Sequence, residues 1–335
     1  MRIIVPMAGM GKRMRPHTLT VPKPLLKVAG KPIVQRLMED ITKVVNEKVE
    51  EIAYVIGDFG KEVEEKLIEI AKNLGAKGSI YYQDEPLGTA HAILCAADSL
   101  KGNVVIAFAD TLFKADFKLD TNKEDGIIWV NKIDDPRAFG VVKISDRGYI
   151  TDFVEKPQHF VSDLAIIGIY YFEDGENLRK ELQYLIDNDI KDKGEYQITN
   201  ALQNMTNKGK KFVPGRVDEW LDCGNKDATV YTNQKVLEFI KQEKLVSDTV
   251  KLINSVIVPP CFIDTNVTLE NSVVGPYVSL GENCRIKNAV ISNSIIQENA
   301  KIEAEVITNS MLGSNVELKG TQNQYSIGDY SFQEK

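Results

Sequence analysis

The feature that most constrains the fold is a regular spacing of aliphatic residues after about residue 250. They recur every five or six positions, at Ile263, Leu269, Val274, Leu280, Ile286, Ile291, Ile296, Ile302, Ile307, Leu312 and Leu318. This period matches neither an α-helix nor an alternating strand. Taken three at a time, the positions repeat every 16 or 17 residues, with asparagine, serine and glycine in between. The spacing therefore predicts a solenoid of three-sided coils, in which each short strand places one aliphatic residue inside.

A β-sandwich of many short strands is the alternative for this region, and the even spacing favours the solenoid. The repeats resemble hexapeptide-repeat domains. That resemblance implies a left-handed β-helix, here with some strands one residue shorter than the usual hexad. Handedness does not follow from the spacing, whereas the period allows about four coils.

Residues 1–245 show a different pattern, in which apolar β-rich runs alternate with amphipathic helical stretches. The alternation predicts an α/β domain with a mostly parallel sheet, followed by the repeat domain over residues 246–335. Strands are predicted at 2–7, 52–56, 79–83, 104–109, 127–132 and 165–172. Helices are predicted at 32–45, 61–74, 90–100, 175–187, 197–207 and 228–242.

Composition and charge exclude several classes of protein. The 335 residues are 43% hydrophobic and 27% charged, which is typical of a globular protein. A net charge of −7 argues against nucleic acid as a partner. The chain has no apolar run of membrane-spanning length and no signal peptide at its start, so we expect a cytoplasmic protein outside the membrane. Its four cysteines show no Cys-x-x-Cys pairing, which indicates neither a disulfide framework nor a zinc site.

A glycine-rich turn follows the first predicted strand, and its sequence at 8–15 is AGMGKRMR. The glycines allow backbone N–H groups to approach an anion, and Lys12, Arg13 and Arg15 add positive charge. Lys23 lies between two prolines, which restrict its backbone. The turn is neither a P-loop nor a dinucleotide-binding fingerprint. Because ligands of open α/β sheets bind beyond the carboxyl ends of the strands, turn and lysine together predict a phosphate site for a nucleotide.

Gln83 ends another predicted strand, five residues before Gly88 and Thr89. Its amide offers a donor and an acceptor together, which suits the edge of uracil or thymine, and Gly88 would allow a base to come close. The alternative is an ordinary loop in which Thr89 is the N-cap of the next helix.

Two aspartates, Asp110 and Asp222, each follow an apolar run that predicts a strand. Carboxylates at strand ends suit Mg²⁺ that bridges phosphates, although a turn or a helix cap is the alternative for each. Gly140, Glu155 and Lys156 could bind the hydroxyls and phosphate of a sugar phosphate. A surface hairpin with an ion pair is the alternative there.

Taken together, the motifs resemble the sugar-1-phosphate nucleotidyltransferase family, in the family's order, across residues 1–245. The spacing of Gly9, Gly11, Arg13 and Met14, and that from Gln83 to Gly88-Thr89, is similar to the uridylyl and thymidylyl branches. The C-terminal repeats are similar to those of long-form glucose-1-phosphate thymidylyltransferases. The resemblance implies a Rossmann-like, GT-A-like enzyme domain that joins glucose-1-phosphate to dTTP or UTP with Mg²⁺ as cofactor. Its reaction is an in-line attack on the α-phosphorus that expels pyrophosphate and needs no general base.

The resemblance also implies a role for each motif. Arg13 and Lys23 are the expected catalytic residues at the departing phosphates, and Asp110 and Asp222 are the expected Mg²⁺ ligands. The expected nucleotide-binding residues are Ala8, Gly9, Gly11, Gln83, Gly88 and Thr89. The expected sugar-phosphate-binding residues are Gly140, Glu155 and Lys156. Two positions depart from the family pattern: Lys12 replaces the usual Thr or Ser, and Thr111 stands where Asn is frequent.

Three other functions are alternatives to this one. A mannose-1-phosphate guanylyltransferase shares several of the same motifs, but Gln83 suits a pyrimidine better. A hexapeptide-repeat acetyltransferase would need a histidine base, and the repeat region contains none. A non-catalytic nucleotide-sugar sensor would not need the full set of metal and leaving-group residues. We also expect a homo-oligomer, with the β-helix as the candidate contact surface.

Overall fold

The structure, a computed structural model, describes residues 1–115, 119 and 124–321 of the chain. It contains two compact units. One comprises Met1–Leu26 and Lys31–Asn225, and the other comprises Lys27–Gly30 and the chain from Lys226 onward. The sequence predicts that the catalytic domain ends at residue 245. This limit concerns catalysis and stays a prediction.

The strands and helices of the α/β region follow the predicted alternation. Strands β1 to β13 lie, in chain order, at Arg2–Pro6, Lys27–Val28, Lys31–Pro32, Glu51–Ile56, Lys77–Tyr82, Val104–Ala107, Thr111–Lys114, Gly126–Lys132, Val141–Ile144, Ile150–Val154, Leu164–Phe172, Phe212–Gly215 and Glu219–Asp222. Helices α1 to α6 lie at Ile33–Val44, Lys61–Asn73, Thr89–Cys95, Gly175–Asp187, Ile198–Asn207 and Lys226–Phe239. Within the described part of the chain, no helix combines the length and the apolar character needed to span a membrane.

The central sheet is mixed. Strands β6, β1, β4 and β5 are neighbours in that order and run parallel. Strand β11 joins β6 antiparallel and continues the sheet towards β8, β9 and β10. In the parallel half, the carboxyl ends of β1, β5 and β6 meet at one edge. That edge therefore collects the glycine-rich turn, Gln83 and Asp110.

The core explains why the central strands consist of unbroken apolar runs. Ile3, Ile4 and Val5 in β1 are fully buried, and so are neighbouring residues of β6 such as Val104 and Ile106. Successive residues of a strand point to opposite faces, so burial of all of them requires cover on both sides of the sheet. This rigid centre holds the loops at the sheet edge in place.

The repeat region forms a parallel β-helix, as the spacing predicts. Strands β14 to β26 lie at Lys251–Ile253, Val256–Ile257, Phe262–Ile263, Thr268–Glu270, Val273–Val274, Ser279–Leu280, Arg285–Lys287, Val290–Ile291, Ile295–Ile296, Lys301–Glu303, Val306–Ile307, Met311–Leu312 and Glu317–Lys319. They stack in three parallel sheets, with strand orders β14-β17-β20-β23-β26, β15-β18-β21-β24 and β16-β19-β22-β25. The inward aliphatic residue of each coil pairs with that of the next, as in Ile263 with Leu280 and Leu280 with Ile296.

Asparagine occupies many corners of the coils. Asn266, Asn283 and Asn299 have φ of 58°, 59° and 60°, in the left-handed region that asparagine tolerates better than most residues. Their side chains also bond from coil to coil: Asn266 Nδ2 donates to Asn283 Oδ1 at 3.3 Å, and Asn283 Nδ2 donates to Asn299 Oδ1 at 3.2 Å. The left-handed corners and the hydrogen bonds between coils thus explain the asparagines between the aliphatic positions.

Candidate functional site

The glycine-rich turn lines a cavity of about 400 Å³ at the carboxyl edge of the parallel strands. Gly11 has a φ of +56°, which favours glycine, and a Cβ built on it would lie 3.0 Å from the Cβ of Lys23. Thr18 Oγ1 donates to the Gly11 carbonyl oxygen at 2.9 Å. The turn is therefore held closely against the segment that carries Lys23.

Most of the residues predicted to bind the nucleotide meet in this one cavity. Nine of them line it: Ala8, Gly9, Gly11, Arg13, Lys23, Gln83, Gly88, Thr89 and Asp110. They come from the ends of β1, β5 and β6, from the start of α3 and from the segment between β1 and β2. Segments more than 80 residues apart in the chain are brought together because the strand ends share one edge of the sheet.

Lys23 and Asp110 form an ion pair in the cavity. Lys23 Nζ donates to Asp110 Oδ2 at 2.9 Å, and only 8% of Lys23 is exposed. The Asp110 side chain remains more accessible. A buried ammonium beside a partly exposed carboxylate places opposite charges where phosphates and a cation would bind.

Asp222 lies next to this pair although it does not line the cavity. It ends β13, where it pairs with Thr111 of β7, and Cys223 N donates to the Asp110 carbonyl oxygen at 2.9 Å. Burial raises the pKa of the Asp222 carboxyl, and the charge of Asp110 raises it further. Lys23, the N–H of Gly224 and Arg13 oppose that rise. The carboxylates of Asp110 and Asp222 and the cations of Lys23 and Arg13 thus interact electrostatically.

The two departures from the family pattern have different surroundings. Thr111 is buried, and its Oγ1 donates to the Ile167 carbonyl oxygen at 2.9 Å, so its hydroxyl is used inside the fold. Lys12 is exposed and lines the cavity. An additional exposed cation therefore lies at the predicted phosphate site.

The Gln83 amide is already bonded within the protein. Its Nε2 donates to the Gly88 carbonyl oxygen at 3.2 Å and lies 3.1 Å from His91 Nδ1. Burial lowers the pKa of His91, against an opposing effect of Glu85, which favours a neutral ring that can accept this bond. The amide oxygen is then the part of Gln83 that remains for a base.

Gly88 and Thr89 have structural roles in addition to their predicted contact with a base. Gly88 has a φ of +114°, and a Cβ built on it would lie 2.5 Å from the Tyr196 carbonyl oxygen. Glycine is therefore required by close backbone packing as well as by any approach of a base. The alternative in which Thr89 is an N-cap is wrong, because Gly88 is the N-cap of α3. Thr89 Oγ1 instead donates to Gln197 Oε1 at 2.9 Å and accepts from Ile198 N at 3.0 Å.

Glu195 lines the same cavity and was missed at the sequence level. Its Oε2 accepts a hydrogen bond of 2.9 Å from Gln197 Nε2. Tyr196 N donates to the Leu87 carbonyl oxygen, so this segment lies against the Gly88 loop. Glu195 follows no predicted strand and carries no motif spacing, so only the packing of two distant loops could reveal it.

Gly140, Glu155 and Lys156 lie together but are not among the cavity-lining residues. A Cβ on Gly140 would lie 3.2 Å from Glu155 Oε2, and Lys156 Nζ is 3.5 Å from Glu155 Oε1. Burial raises the pKa of Tyr170, and the charges of Glu155 and then Asp110 add to that rise, so Tyr170 lies within electrostatic reach of both carboxylates. The trio therefore forms a second cluster, apart from the cavity-lining residues.

Comparison with known proteins identifies the family. A family model described as nucleotidyl transferase matches residues 3–238, well over half of the chain. The chain belongs to the nucleotidyl transferase family. Residues 232–305 match a second model, described as the GlmU-like C-terminal hexapeptide, which agrees with the β-helix of this nucleotidyltransferase.

Relatives of this nucleotidyltransferase carry several names. It is 30% identical over 254 residues to the low-salt glycan biosynthesis nucleotidyltransferase Agl11 of Haloferax volcanii, a match that covers 72% of this chain and 68% of that protein. It is 29% identical over 275 residues to a glucose-1-phosphate thymidylyltransferase of Streptomyces griseus, covering 77% and 73%. It is 30% identical over 267 residues to the bifunctional protein GlmU of Methanococcus maripaludis, covering 77% of this chain but 60% of GlmU.

Solved structures agree with the fold. The nucleoside-diphosphate-sugar pyrophosphorylase of Vibrio cholerae RC9 superposes with a TM-score of 0.61 at 18% identity, covering 69% of this chain and 99% of that one. A UDP-glucose pyrophosphorylase complexed with UDP-glucose superposes with a TM-score of 0.59 at 22% identity, covering 72% and 99%. The predicted Rossmann-like nucleotidyltransferase domain with a C-terminal left-handed β-helix is confirmed.

Proposed function

We propose that this nucleotidyltransferase joins glucose-1-phosphate to dTTP or UTP, giving dTDP-glucose or UDP-glucose and pyrophosphate. The observation that carries the proposal is the meeting of Arg13, Lys23 and Asp110 in one cavity with Gln83, with Asp222 directly beside them. Nucleotidyl transfer needs cations for the phosphates, carboxylates for a metal ion and a polar group for the nucleobase, and the Gln83 amide can be that polar group.

In the proposed reaction, a phosphate oxygen of the sugar phosphate attacks the α-phosphorus in line with the departing pyrophosphate. The nucleophile is already an anion, so the protein needs to position the reactants and neutralise charge rather than remove a proton. Arg13 binds the β- and γ-phosphates as they leave, and Lys23 lies near the same phosphates. The backbone at Ala8, Gly9 and Gly11 surrounds the triphosphate.

Asp110 and Asp222 fit a divalent cation. Burial raises the pKa of the Asp222 carboxyl, and the charge of Asp110 raises it further, so a cation held by both carboxylates would relieve their repulsion. Carboxylate oxygens are the ligands that Mg²⁺ prefers. When bound, Mg²⁺ supplies charge neutralisation for the phosphates, while Lys23 Nζ compensates the charge of Asp110.

We propose that the sugar phosphate binds at Gly140, Glu155 and Lys156. Glu155 is the acceptor for sugar hydroxyls, and Lys156 is the cation for the phosphate. Support comes from Thr199 Oγ1, which donates to Glu155 Oε2 at 3.4 Å and helps to orient the carboxylate. Support also comes from Lys193, whose Nζ donates to the Lys156 carbonyl oxygen at 2.6 Å and adds a further cation.

For the base, we propose that the Gln83 amide oxygen accepts the N3–H of uracil or thymine. Gly88 and Thr89 complete this end of the cavity. The second candidate is a mannose-1-phosphate guanylyltransferase, because Glu195 also lines the cavity. A carboxylate beside Gly88 could accept both N–H groups on the edge of guanine, which a pyrimidine cannot offer.

Pyrophosphate release tests the proposal. The purified chain is incubated with Mg²⁺ and each of dTTP, UTP, GTP, ATP and CTP, against glucose-, mannose-, galactose- and N-acetylglucosamine-1-phosphate. Release with dTTP or UTP and glucose-1-phosphate is expected. Release with GTP and mannose-1-phosphate alone would support the second candidate, and no release with any pair would contradict nucleotidyl transfer.

We place this activity in the cytoplasm, because nucleoside triphosphates and sugar phosphates are too highly charged to cross a bilayer unaided. A separate assay with acetyl-coenzyme A and an amino sugar phosphate, read out as release of the coenzyme A thiol, tests the acetyltransferase alternative. Acetylation would contradict the view that the β-helix is not a catalytic domain.

A further inference from the structure

His91 is a half-buried histidine to which the proposed reaction gives no role. It is the third residue of α3 and lies between two buried alanines, Ala90 and Ala92. Among the residues that the structure describes, its ring has one hydrogen-bond partner, Gln83 Nε2, which lies 3.1 Å from Nδ1. Gln83 lines the cavity, whereas His91 lies outside the set of lining residues. Any effect of His91 on a bound nucleotide therefore passes through Gln83.

The Gly88 carbonyl oxygen decides which way the Gln83 amide points. A carbonyl oxygen can only accept, so the atom of Gln83 that lies 3.2 Å from it is the amide nitrogen. The same nitrogen faces His91 Nδ1, which must then be the acceptor, with the ring proton on Nε2. The Gly88 oxygen is itself held in place, because Ala92 N donates to it at 3.1 Å in the first turn of α3.

The amide nitrogen of Gln83 is saturated by these two contacts. It carries two hydrogens, of which one goes to Gly88 and the other to His91. Within the described part of the chain, by contrast, no residue donates to Gln83 Oε1. Gln83 therefore offers a ligand an acceptor and no donor.

The His91 ring is neutral, as an acceptor at Nδ1 requires. Burial lowers the pKa of His91 below its usual value of 6.5, and the charge of Glu85, an exposed residue of the loop before α3, opposes part of that effect. At about pH 8 the ring is therefore uncharged, and Nδ1 can accept from the amide.

We infer that His91 is a positioning residue that makes the nucleotide site selective for bases with an N–H group on the edge that faces Gln83. Uracil and thymine carry such an N–H at N3 and guanine carries one at N1, whereas cytosine N3 and adenine N1 are acceptors. A fixed amide oxygen accepts from the first group and repels the second. The inference rests on the proposed binding of the base at Gln83, and it holds for either candidate of the proposed function.

The contribution of His91 is to oppose reversal of the amide. A reversed Gln83 would offer Nε2 to cytosine N3 and would place Oε1 against the Gly88 carbonyl oxygen. Two hydrogen bonds to Nε2 oppose this reversal, and His91 accepts one of them. Because one hydrogen bond of this kind changes an equilibrium by about five- to tenfold, loss of the His91 acceptor should reduce the selectivity by about that factor.

Equilibrium binding of UTP and CTP tests the inference, because the two share the ribose and the triphosphate and differ at the N3 and C4 edge of the base. Isothermal titration calorimetry with Mg²⁺ at about pH 8, without sugar phosphate, measures both dissociation constants and needs no turnover. The wild-type chain should bind UTP at least about 100-fold more tightly than CTP. The pairs dUTP and dCTP, and GTP and ATP, are measured alongside, so that the test covers whichever ribose and base the wild type prefers.

Three variants separate positioning from stability, since a ratio of two dissociation constants is insensitive to a general loss of folded protein. His91→Leu removes the acceptor and should reduce the preference for UTP by about five- to tenfold. His91→Asn is the rescue: its Oδ1 lies one bond beyond Cγ, as Nδ1 does, so it can accept from Gln83 and should keep the preference within about twofold of wild type. Leu94→Ala is the structural control, because it removes packing of α3 against the core but keeps the acceptor, and it should leave the preference unchanged.

A wild-type chain that binds the two members of every pair equally tightly would overturn the inference. So would an unchanged preference in His91→Leu, which would show that the Gly88 carbonyl oxygen fixes the amide unaided, or an equal fall in Leu94→Ala, which would assign the effect to packing of α3. The pyrophosphate assay separates these results from the proposed reaction. A chain that prefers UTP through His91 but releases no pyrophosphate with any pair would support the inference and contradict nucleotidyl transfer.

Discussion

Lys23 Nζ donates a 2.9 Å hydrogen bond to Asp110 Oδ2, although the two residues are 87 positions apart in the chain. The lysine is buried and the carboxylate is partly exposed, so the pair presents its acidic side to the cavity. Lys23 comes from the segment between β1 and β2, and Asp110 follows the end of β6. The pair joins the proposed phosphate site to the proposed metal site.

Removing the charge of either aspartate should abolish metal-dependent turnover. We expect Asp110→Asn and Asp222→Asn each to lose roughly 100-fold or more in kcat, about 2.7 kcal/mol or more of transition-state stabilisation. Steady-state pyrophosphate release over a Mg²⁺ titration measures the effect. Asp135→Asn is the control, because Asp135 pairs with Arg137 in an exposed turn outside the cavity. Unchanged rates in both site variants would remove them from the metal site.

Arg13 and Lys12 are adjacent, exposed cations that both line the cavity, so they form a matched pair. Arg13→Ala should reduce kcat by about 100-fold, because the proposed role of Arg13 is to stabilise the departing pyrophosphate. Lys12→Ala should reduce kcat/KM by less than about tenfold, since an exposed cation outside the reacting centre contributes mainly to attraction of the anionic substrate. The reverse order of the two effects would assign the leaving-group role to Lys12.

Gly88→Ala should destabilise the fold as well as the site. The new methyl group would meet the Tyr196 carbonyl oxygen at 2.5 Å in a backbone conformation that only glycine adopts readily, and we expect a loss of about 2–4 kcal/mol in the free energy of unfolding. Gly75→Ala is the control: Gly75 also has a positive φ but nothing lies near its Cβ position, so about 1 kcal/mol is expected. Urea denaturation measures both. Equal losses would show that the contact with Tyr196 is unimportant.

The cysteines of the β-helix should be unreactive at ordinary pH. Burial raises the pKa of both Cys261 and Cys284 to about 11. Because the thiolate is the reactive form and a raised pKa lowers its fraction, about 0.1% of each thiol is ionised at pH 8. Labelling by a disulfide reagent should therefore be at least roughly 100-fold slower than that of a free thiol, and should accelerate as the pH rises towards 11.

The same labelling in guanidinium chloride is the control, where all four cysteines should react rapidly. Rapid labelling of Cys261 or Cys284 in the folded protein at pH 8 would contradict their burial in the solenoid.

Several elements could be predicted from local pattern alone. The aliphatic positions from Ile263 to Leu318 define the coils. Each coil repeats the same inward contact, so the period of the coils equals the spacing of these residues in the sequence. The six helices follow from amphipathic spacing for the same reason. The residues of the glycine-rich turn and Asp110 also follow from sequence, since they stand at the ends of apolar runs, and Lys23 follows from its position between two prolines.

Other features needed the tertiary structure. Strand β11 lies antiparallel between β6 and β8, and this position depends on pairing between distant segments. The spacing of hydrophobic residues along the chain does not specify such pairing. Glu195 joins the cavity only because its segment packs against the Gly88 loop. The need for glycine at position 88 likewise arises from the Tyr196 carbonyl oxygen, a neighbour that is more than a hundred residues away in sequence.

The sequence by itself determined the two architectures, the strand ends that carry phosphate-binding chemistry and the period of the solenoid, because each of these depends on contacts repeated at fixed local intervals. Only the tertiary structure decided which strand ends share an edge, which oxygen of Asp110 accepts from Lys23 and which distant loop packs against Gly88. Those outcomes depend on the packing of segments far apart in the chain, and a local pattern carries no information on which distant surface will cover it.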